Sequence, residues 1–250
     1  MYTIFGADRA LRLFLSAYAV LVAGAACFLE FPDSAFSLIR WALLSAGLFF
    51  AVSTALAGWS GFLSPWRVAF RLCSKLNDWV YPDLNGVWYG NTKSNWGVIE
   101  TKRAAASGEG CYDLADLPSV PLREGEIAME VKADLFRISV RSKVSATGGV
   151  SITLSSRADK LSSEDEYRLS YLYRQSTPEP VSTDEGAHDG AASLRIALGT
   201  PLTMEGVYWT RRKWREGLNT AGIIQVRRVS DKHAPAGIDL LAHARKMAGK

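Results

Sequence analysis

The stretch GVYWTRRKWREGLNTAGIIQVRR, residues 206–228, contains two short runs, 206–212 and 222–228, in which apolar and polar positions alternate around a polar turn. Alternation with period two puts successive side chains on opposite faces, the pattern of a strand with one buried side. The same period recurs at residues 86–91, 127–131, 135–140, 150–154, 167–173 and 194–198, with loops rich in Gly, Ser, Asp and Pro between them, the longest at 101–125 and 176–193. Eight such strands with no intervening helix predict an all-β fold, a small antiparallel eight-stranded β-barrel. A barrel of this size has room inside for side chains or one small ligand.

The opening stretch also concentrates charge. It packs Arg211, Arg212, Lys213, Arg215, Arg227 and Arg228 against one acid, Glu216, among the aromatics Tyr208, Trp209 and Trp214. The whole 250-residue chain carries only +4. Residues 1–66 balance to zero, and outside the stretch the remainder is slightly acidic. A local basic field of this kind suits an anionic partner.

The first 66 residues are of another character. Residues 13–29 (LFLSAYAVLVAGAACFL) and 41–66 carry no charge, and the second run alone would extend roughly 39 Å as a helix. Both are long enough to cross a bilayer, and the short polar segment between them makes a two-helix transmembrane hairpin. The first run also reads as a signal peptide, with Arg9 and Arg12 before it and Ala23-x-Ala25 as a cleavage site. In either case Arg67, Arg71 and Lys75 after the second span keep the following domain cytoplasmic by the positive-inside rule. The expected location is the bacterial inner membrane, multi-pass, with both termini and the barrel in the cytoplasm. Gly47, Ala51 and Ala55 recur four residues apart on one face of the second span, where small residues allow close helix approach.

The expected organisation is therefore a transmembrane hairpin (1–66), an interfacial linker helix (67–82), a cytoplasmic barrel (83–230) and a C-terminal tail (231–250). In the linker, Arg67, Arg71 and Lys75 at i, i+4 and i+8 read either as a stripe facing lipid phosphates or as an amphipathic helix packed on its own domain. Cys27, Cys73 and Cys111 show neither a disulfide framework nor metal-ligand spacing, consistent with a reducing compartment.

Catalytic signatures are absent: the sequence contains no GxSxG, GxxxxGK[ST], HExxH or GxGxxG. His188, within TDEGAHDG, reads as a solvated loop histidine, and Glu164–Asp165–Glu166 as a solvated turn. The chain is accordingly read as a non-enzyme with no cofactor and no metal.

Three further motifs carry a family resemblance. LNGVWYGN (84–91), YRLSYLYRQSTPEP (167–180) and EGVYWTRRKW followed by NTAGIIQVRR (205–228), in this order behind a two-span N-terminus, resemble the two-transmembrane β-barrel effectors associated with CD-NTases in bacterial CBASS anti-phage operons. The resemblance covers nearly the whole chain. It implies a cytoplasmic barrel that binds a cyclic oligonucleotide, a cyclic dinucleotide above all, made by a partner CD-NTase upon infection. Binding would drive homo-oligomerisation, disruption of the lipid bilayer and death of the infected cell, with no DNA or RNA polymer involved. Gly206, Tyr208, Thr210 and Arg212 match the GxYxTxR strand, Thr220 and Gly222 the TAG turn, and Gly86, Trp88 and Gly90 the opening strand; Arg211 departs from the pattern. A related arrangement inverts the logic, with a constitutive cyclic nucleotide holding the effector silent. A tethered barrel carrying a lipid or another small metabolite is a further reading, as is a membrane-anchored enzyme acting on a phosphorylated substrate.

The residues support an anionic, ring-bearing ligand on their own terms. Two phosphates and two bases need charge-assisted donors and stacking platforms. Tyr208, Thr210 and Arg212 share one strand face at period two, with Trp209 and Arg211 opposite. The candidate ligand-binding set is Tyr208, Thr210, Arg212, Trp214, Thr220, Trp88 and Asn91.

Overall fold

The computed structural model describes residues 12, 15–24, 34–59, 61–161 and 166–249. They fall into two compact units, one within residues 1–81 together with 134–137, the other within 82–133 together with 138–250.

In the first unit, helix α1 (Leu15–Gly24) precedes helix α2 (Ala35–Ala57). Ser34 and Ser37 form a capping box that satisfies backbone donors at the start of α2. Tyr18 ties the two helices together: its hydroxyl donates to the Ala42 carbonyl at 3.0 Å and lies 2.8 Å from Ser45 Oγ, while its ring sits 5.5 Å from that of Phe49. Of the described helices, α2 is long and apolar enough to cross a membrane over Ala35–Leu56; α1, at ten described residues, is shorter than a span. Residues 13, 14 and 25–29 of the expected first span, with Cys27 and the cleavage motif's Ala25 among them, lie outside the described residues. Helix α2, at the place of the expected second span, begins earlier than the charge-free run, at the Ser34 cap with Arg40 inside the helix, and stops at the Gly58 cap rather than at Trp66.

Two short helices follow, α3 (Pro65–Leu72) and α4 (Lys75–Trp79), broken at Cys73. The break removes the expected Arg67–Arg71–Lys75 stripe. Arg67 is fully buried, and Arg71 donates to the Phe62 carbonyl at 2.8 Å with its guanidinium 3.6 Å above the Phe62 ring. Cys73 and Cys111 are both free and exposed.

The second unit is a closed antiparallel barrel whose strands pair in chain order, the last closing on the first. Its strands are β1 (Gly86–Ser94), β2 (Arg123–Ala133), β3 (Ile138–Val144), β4 (Val150–Leu161), β5 (Glu166–Ser176), β6 (Ala187–Ala197), β7 (Thr203–Thr210) and β8 (Ala221–Ser230). Alternation decides which side chains turn inward. Trp88 pairs across β1 and β2 with Met129, Leu169 across β5 and β6 with Leu194, and Val131 across β2 and β3 with Val140. All six are at most 2% exposed, and with Met204 they plug one end of the lumen. Burying each such side chain stabilises the fold by about 1.5 to 3 kcal/mol.

One helix departs from the expected all-strand region, and another forms in the C-terminal tail. Helix α5 (Trp96–Ala106) fills part of what reads as a loop, because its WGVIETKRAAA sequence is rich in strong helix formers that carry no long periodic signal. Within the C-terminal tail, helix α6 (Leu240–Met247) lays Leu240, Leu241 and Ala244 against the outward-facing Val87, Tyr89 and Ala128. Asp239 caps α6 by accepting from the Leu241 and Ala242 amides, and Arg245 pairs with Glu126, which also accepts from the Tyr89 hydroxyl.

Candidate functional site

Above the apolar plug the lumen becomes polar and forms a cavity of about 370 Å³. That size suits a small-molecule site. The strands deliver its lining by the same alternation that builds the plug. Thr92 and Ser94 continue the inward face of β1 beyond Trp88, Tyr171 and Tyr173 that of β5 beyond Leu169, and Tyr208 and Thr210 that of β7 beyond Met204. Burial pushes the Tyr171, Tyr173 and Tyr208 phenols upward, so all three stay protonated and able to donate; for Tyr208 a hydrogen bond to Ser94 and the charge of Arg212 act the other way.

One buried cation faces this cavity. Arg212 leaves the end of β7, with Nε donating to the Leu218 carbonyl at 3.4 Å, Nη1 3.7 Å from Asp184 Oδ1 and the guanidinium 4.7 Å above the Trp96 ring. Beside it His188 Nδ1 lies 4.0 Å from the same Asp184 oxygen and makes no hydrogen bond although it is buried. Burial pushes the His188 imidazole below its ordinary 6.5, outweighing the upward pull of Asp184, and Arg212 lowers it further.

That shift has a testable consequence. Below pH 6.5 the unfolded chain takes up a proton that folded His188 resists, so stability holds above 6.5 and falls as pH drops toward the depressed folded value. His188→Gln removes this share. Its urea midpoint is expected to fall less steeply than that of the wild type between about pH 7.5 and about pH 5. Identical slopes would show that His188 titrates alike in both states.

The structure brings together Tyr208, Thr210, Arg212 and Thr220 of the expected site. Thr210 and Thr220 also hold the β7–β8 junction, their hydroxyls 3.0 Å apart and the Thr210 amide donating to the Thr220 carbonyl at 2.8 Å. The other three lie elsewhere. Trp88 belongs to the plug, fully buried with Nε1 donating to the Leu84 carbonyl at 3.0 Å. Trp214 is 55% exposed on a 3-10 turn beneath Arg215. Asn91 lies in a shallow outer depression with Arg227. The basic cluster is dispersed as well: of its six members Arg212 alone lines the cavity, while Arg228, for one, donates to the Asp83 carbonyl at 2.7 Å.

His188 requires a correction. It stands in β6, 6% exposed and facing the cavity, rather than in a solvated loop. Asp184, Trp96 and the rim residues Arg103 and Arg123 were also not expected; the last pairs with Glu100 at 3.1 Å. For Tyr171 and Tyr173 a signal existed, since they occupy alternate positions of a run already read as a strand. Of the expected acidic turn, residues 164 and 165 lie outside the described residues, and Glu166 opens β5, where it accepts from Arg168.

No family model matches the chain. Among curated proteins, CD-NTase-associated protein 15 of Escherichia albertii is 31% identical over 146 residues, covering 58% of this chain and 61% of that protein. This similarity supports a relation to CD-NTase-associated proteins. The alignment thus spans about three-fifths of the relative's length. The relative's name describes a protein associated with a CD-NTase.

Proposed function

We propose that the barrel is the cyclic-nucleotide sensor of an anti-phage defence effector, and that occupancy of its lumen controls assembly of the N-terminal helices in the inner membrane, whose disruption kills the infected cell. The observation that carries this reading is the lumen itself, where one buried guanidinium meets three phenols and several hydroxyls in a cavity of small-molecule size. A phosphate matches the guanidinium, and a base can lie against the tyrosine rings. A lipid carrier would want the opposite, an apolar lumen without an inward arginine. The similarity to a CD-NTase-associated protein supports a nucleotide made by such a synthase. In this reading α1 and α2 are the two spans, and both termini stay in the cytoplasm. Gly47 has open space around it, since a Cβ there would meet nothing within 4 Å, which leaves room for a neighbouring helix.

The test separates sensing from killing. A chain lacking residues 1–66 is expected to keep its affinity for cyclic di-AMP or cyclic di-GMP by calorimetry while losing toxicity and dye leakage in cells. Toxicity from the soluble barrel alone would favour an enzyme. The same cells report the sign of control: leakage that begins when the synthase is expressed marks an activating ligand, and leakage when it is removed marks a silencing one.

A further inference from the structure

Among the described residues, Asp184 is the carboxylate that pairs with the cavity's buried cation, and its side chain is only 2% exposed. Its Oδ1 faces Arg212 at 3.7 Å and His188 at 4.0 Å and accepts from the Glu185 amide at 2.9 Å. We propose that Asp184 is an internal competitor for Arg212, holding the place that a ligand's phosphate needs and giving it up when the phosphate arrives. This rests on the cyclic-nucleotide reading of the lumen and adds a regulatory step to it.

Geometry and charge both support displacement over simultaneous binding. Charge-assisted N–H···O bonds run at about 2.7 to 2.9 Å, so a pair at 3.7 Å is loosely made and easily exchanged for a well-formed phosphate contact. Two anions cannot share a buried site cheaply, because like charges within about 4 to 6 Å oppose each other's ionised forms. His188, neutral and short of a hydrogen bond at Nδ1, stands next to the exchange point and can bond whichever anion occupies it.

Displacement would also travel outward. Asp184 sits in the β5–β6 connection, which is closed at its base by the Thr177 amide donating to the Gly186 carbonyl at 2.9 Å and turned by the Asp184 amide donating to Val181 at 2.8 Å. Two bonds of 2.5 Å fasten this connection to the β7–β8 turn, from the Lys213 amide to Glu185 and from Lys213 Nζ to the Ser182 carbonyl. Lys213 holds φ at +37°, left-handed backbone that a lysine adopts only when its surroundings impose it. When Asp184 leaves Arg212, this clasp loosens and residues 177–186 move at the barrel surface.

The experiment uses the full chain in detergent micelles with cyclic di-AMP, cyclic di-GMP and inorganic pyrophosphate as probes. Asp184→Asn and Asp184→Ala are each expected to tighten probe binding about tenfold, the scale of removing one close like charge. Adding Arg212→Ala should abolish that gain. In the wild type, hydrogen exchange across 177–186 should accelerate on probe addition. Equal or weaker binding in both variants overturns the competitor role, and unchanged exchange overturns the movement. If no cyclic dinucleotide binds any version while pyrophosphate binds the Asp184 variants more tightly, the cyclic-nucleotide reading falls and the competitor stands. If neither probe class binds any version, both fall.

Discussion

Arg212→Ala is expected to weaken cyclic dinucleotide binding by about 1.5 to 3 kcal/mol, roughly 10- to 150-fold, the worth of a hydrogen bond to a charged group. Arg212 is the buried cation of the cavity, and its guanidinium is already oriented by the Leu218 carbonyl and the Trp96 ring. Such preorganisation reduces what binding must order. The substitution also strands Asp184, whose remaining neighbours at Oδ1 are His188 and an amide, and a buried unpaired carboxylate costs stability. Calorimetry should therefore compare Arg212→Ala with the Asp184→Asn/Arg212→Ala double variant, in which that defect is removed. Arg211→Ala provides the control, since Arg211 is an exposed neighbour in sequence that does not line the cavity. Equal losses from Arg211→Ala and Arg212→Ala would place the ligand on the basic exterior instead of in the lumen.

Arg212 illustrates how far alternation carries and where it stops. Counting by twos from Tyr208 reaches Thr210 and then Arg212, and all three face the cavity although β7 ends at Thr210. One more step reaches Trp214, and there the count fails. The chain has by then passed through the left-handed backbone of Lys213 into a 3-10 turn, and Trp214 points to solvent. All eight strands were legible as alternating runs, but several ends were not. β2 begins at Arg123 inside a stretch that composition assigns to a loop, and β4 continues to Leu161 past a bulge between Thr153 and Ser155 that breaks its period.

His188 was hidden for a related reason. The start of β6, AHDGAAS, has the composition of a turn, and it is a strand because β5 pairs with it, Gln175 opposite His188 and Tyr173 opposite Gly190. Asp184, Trp96 and Arg212 come from three separated segments that only barrel closure brings together. No local pattern announces such a meeting. Trp88 misleads in the opposite direction: its place in a motif suggests a ligand contact, while its depth in the lumen makes it part of the plug.

Gly206→Val is expected to destabilise the barrel by about 3 to 5 kcal/mol, beyond ordinary overpacking. A Cβ at Gly206 would lie 2.0 Å from the Ser193 carbonyl oxygen and 2.9 Å from the Leu194 Cα, both backbone atoms of the paired strand β6. Backbone in a ladder cannot swing aside as a flexible side chain can, so the strands must separate and lose hydrogen bonds. Gly90 stands in the same position on β1, with the Gln225 carbonyl oxygen of β8 at 2.0 Å from where its Cβ would be. Close backbone approach at inward positions is how a small barrel coils tightly enough to close. The glycines of the opening and closing motifs are therefore requirements of closure, which is why the motifs identify the barrel more surely than the ligand. Gly217→Ala separates this effect from conformational preference: its φ is +69° but nothing lies within 4 Å, so its cost should stay at about 1 kcal/mol. Thermal unfolding in detergent should place Gly206→Ala between Gly217→Ala and Gly206→Val; an unchanged midpoint for Gly206→Ala would mean that the barrel closes without that contact.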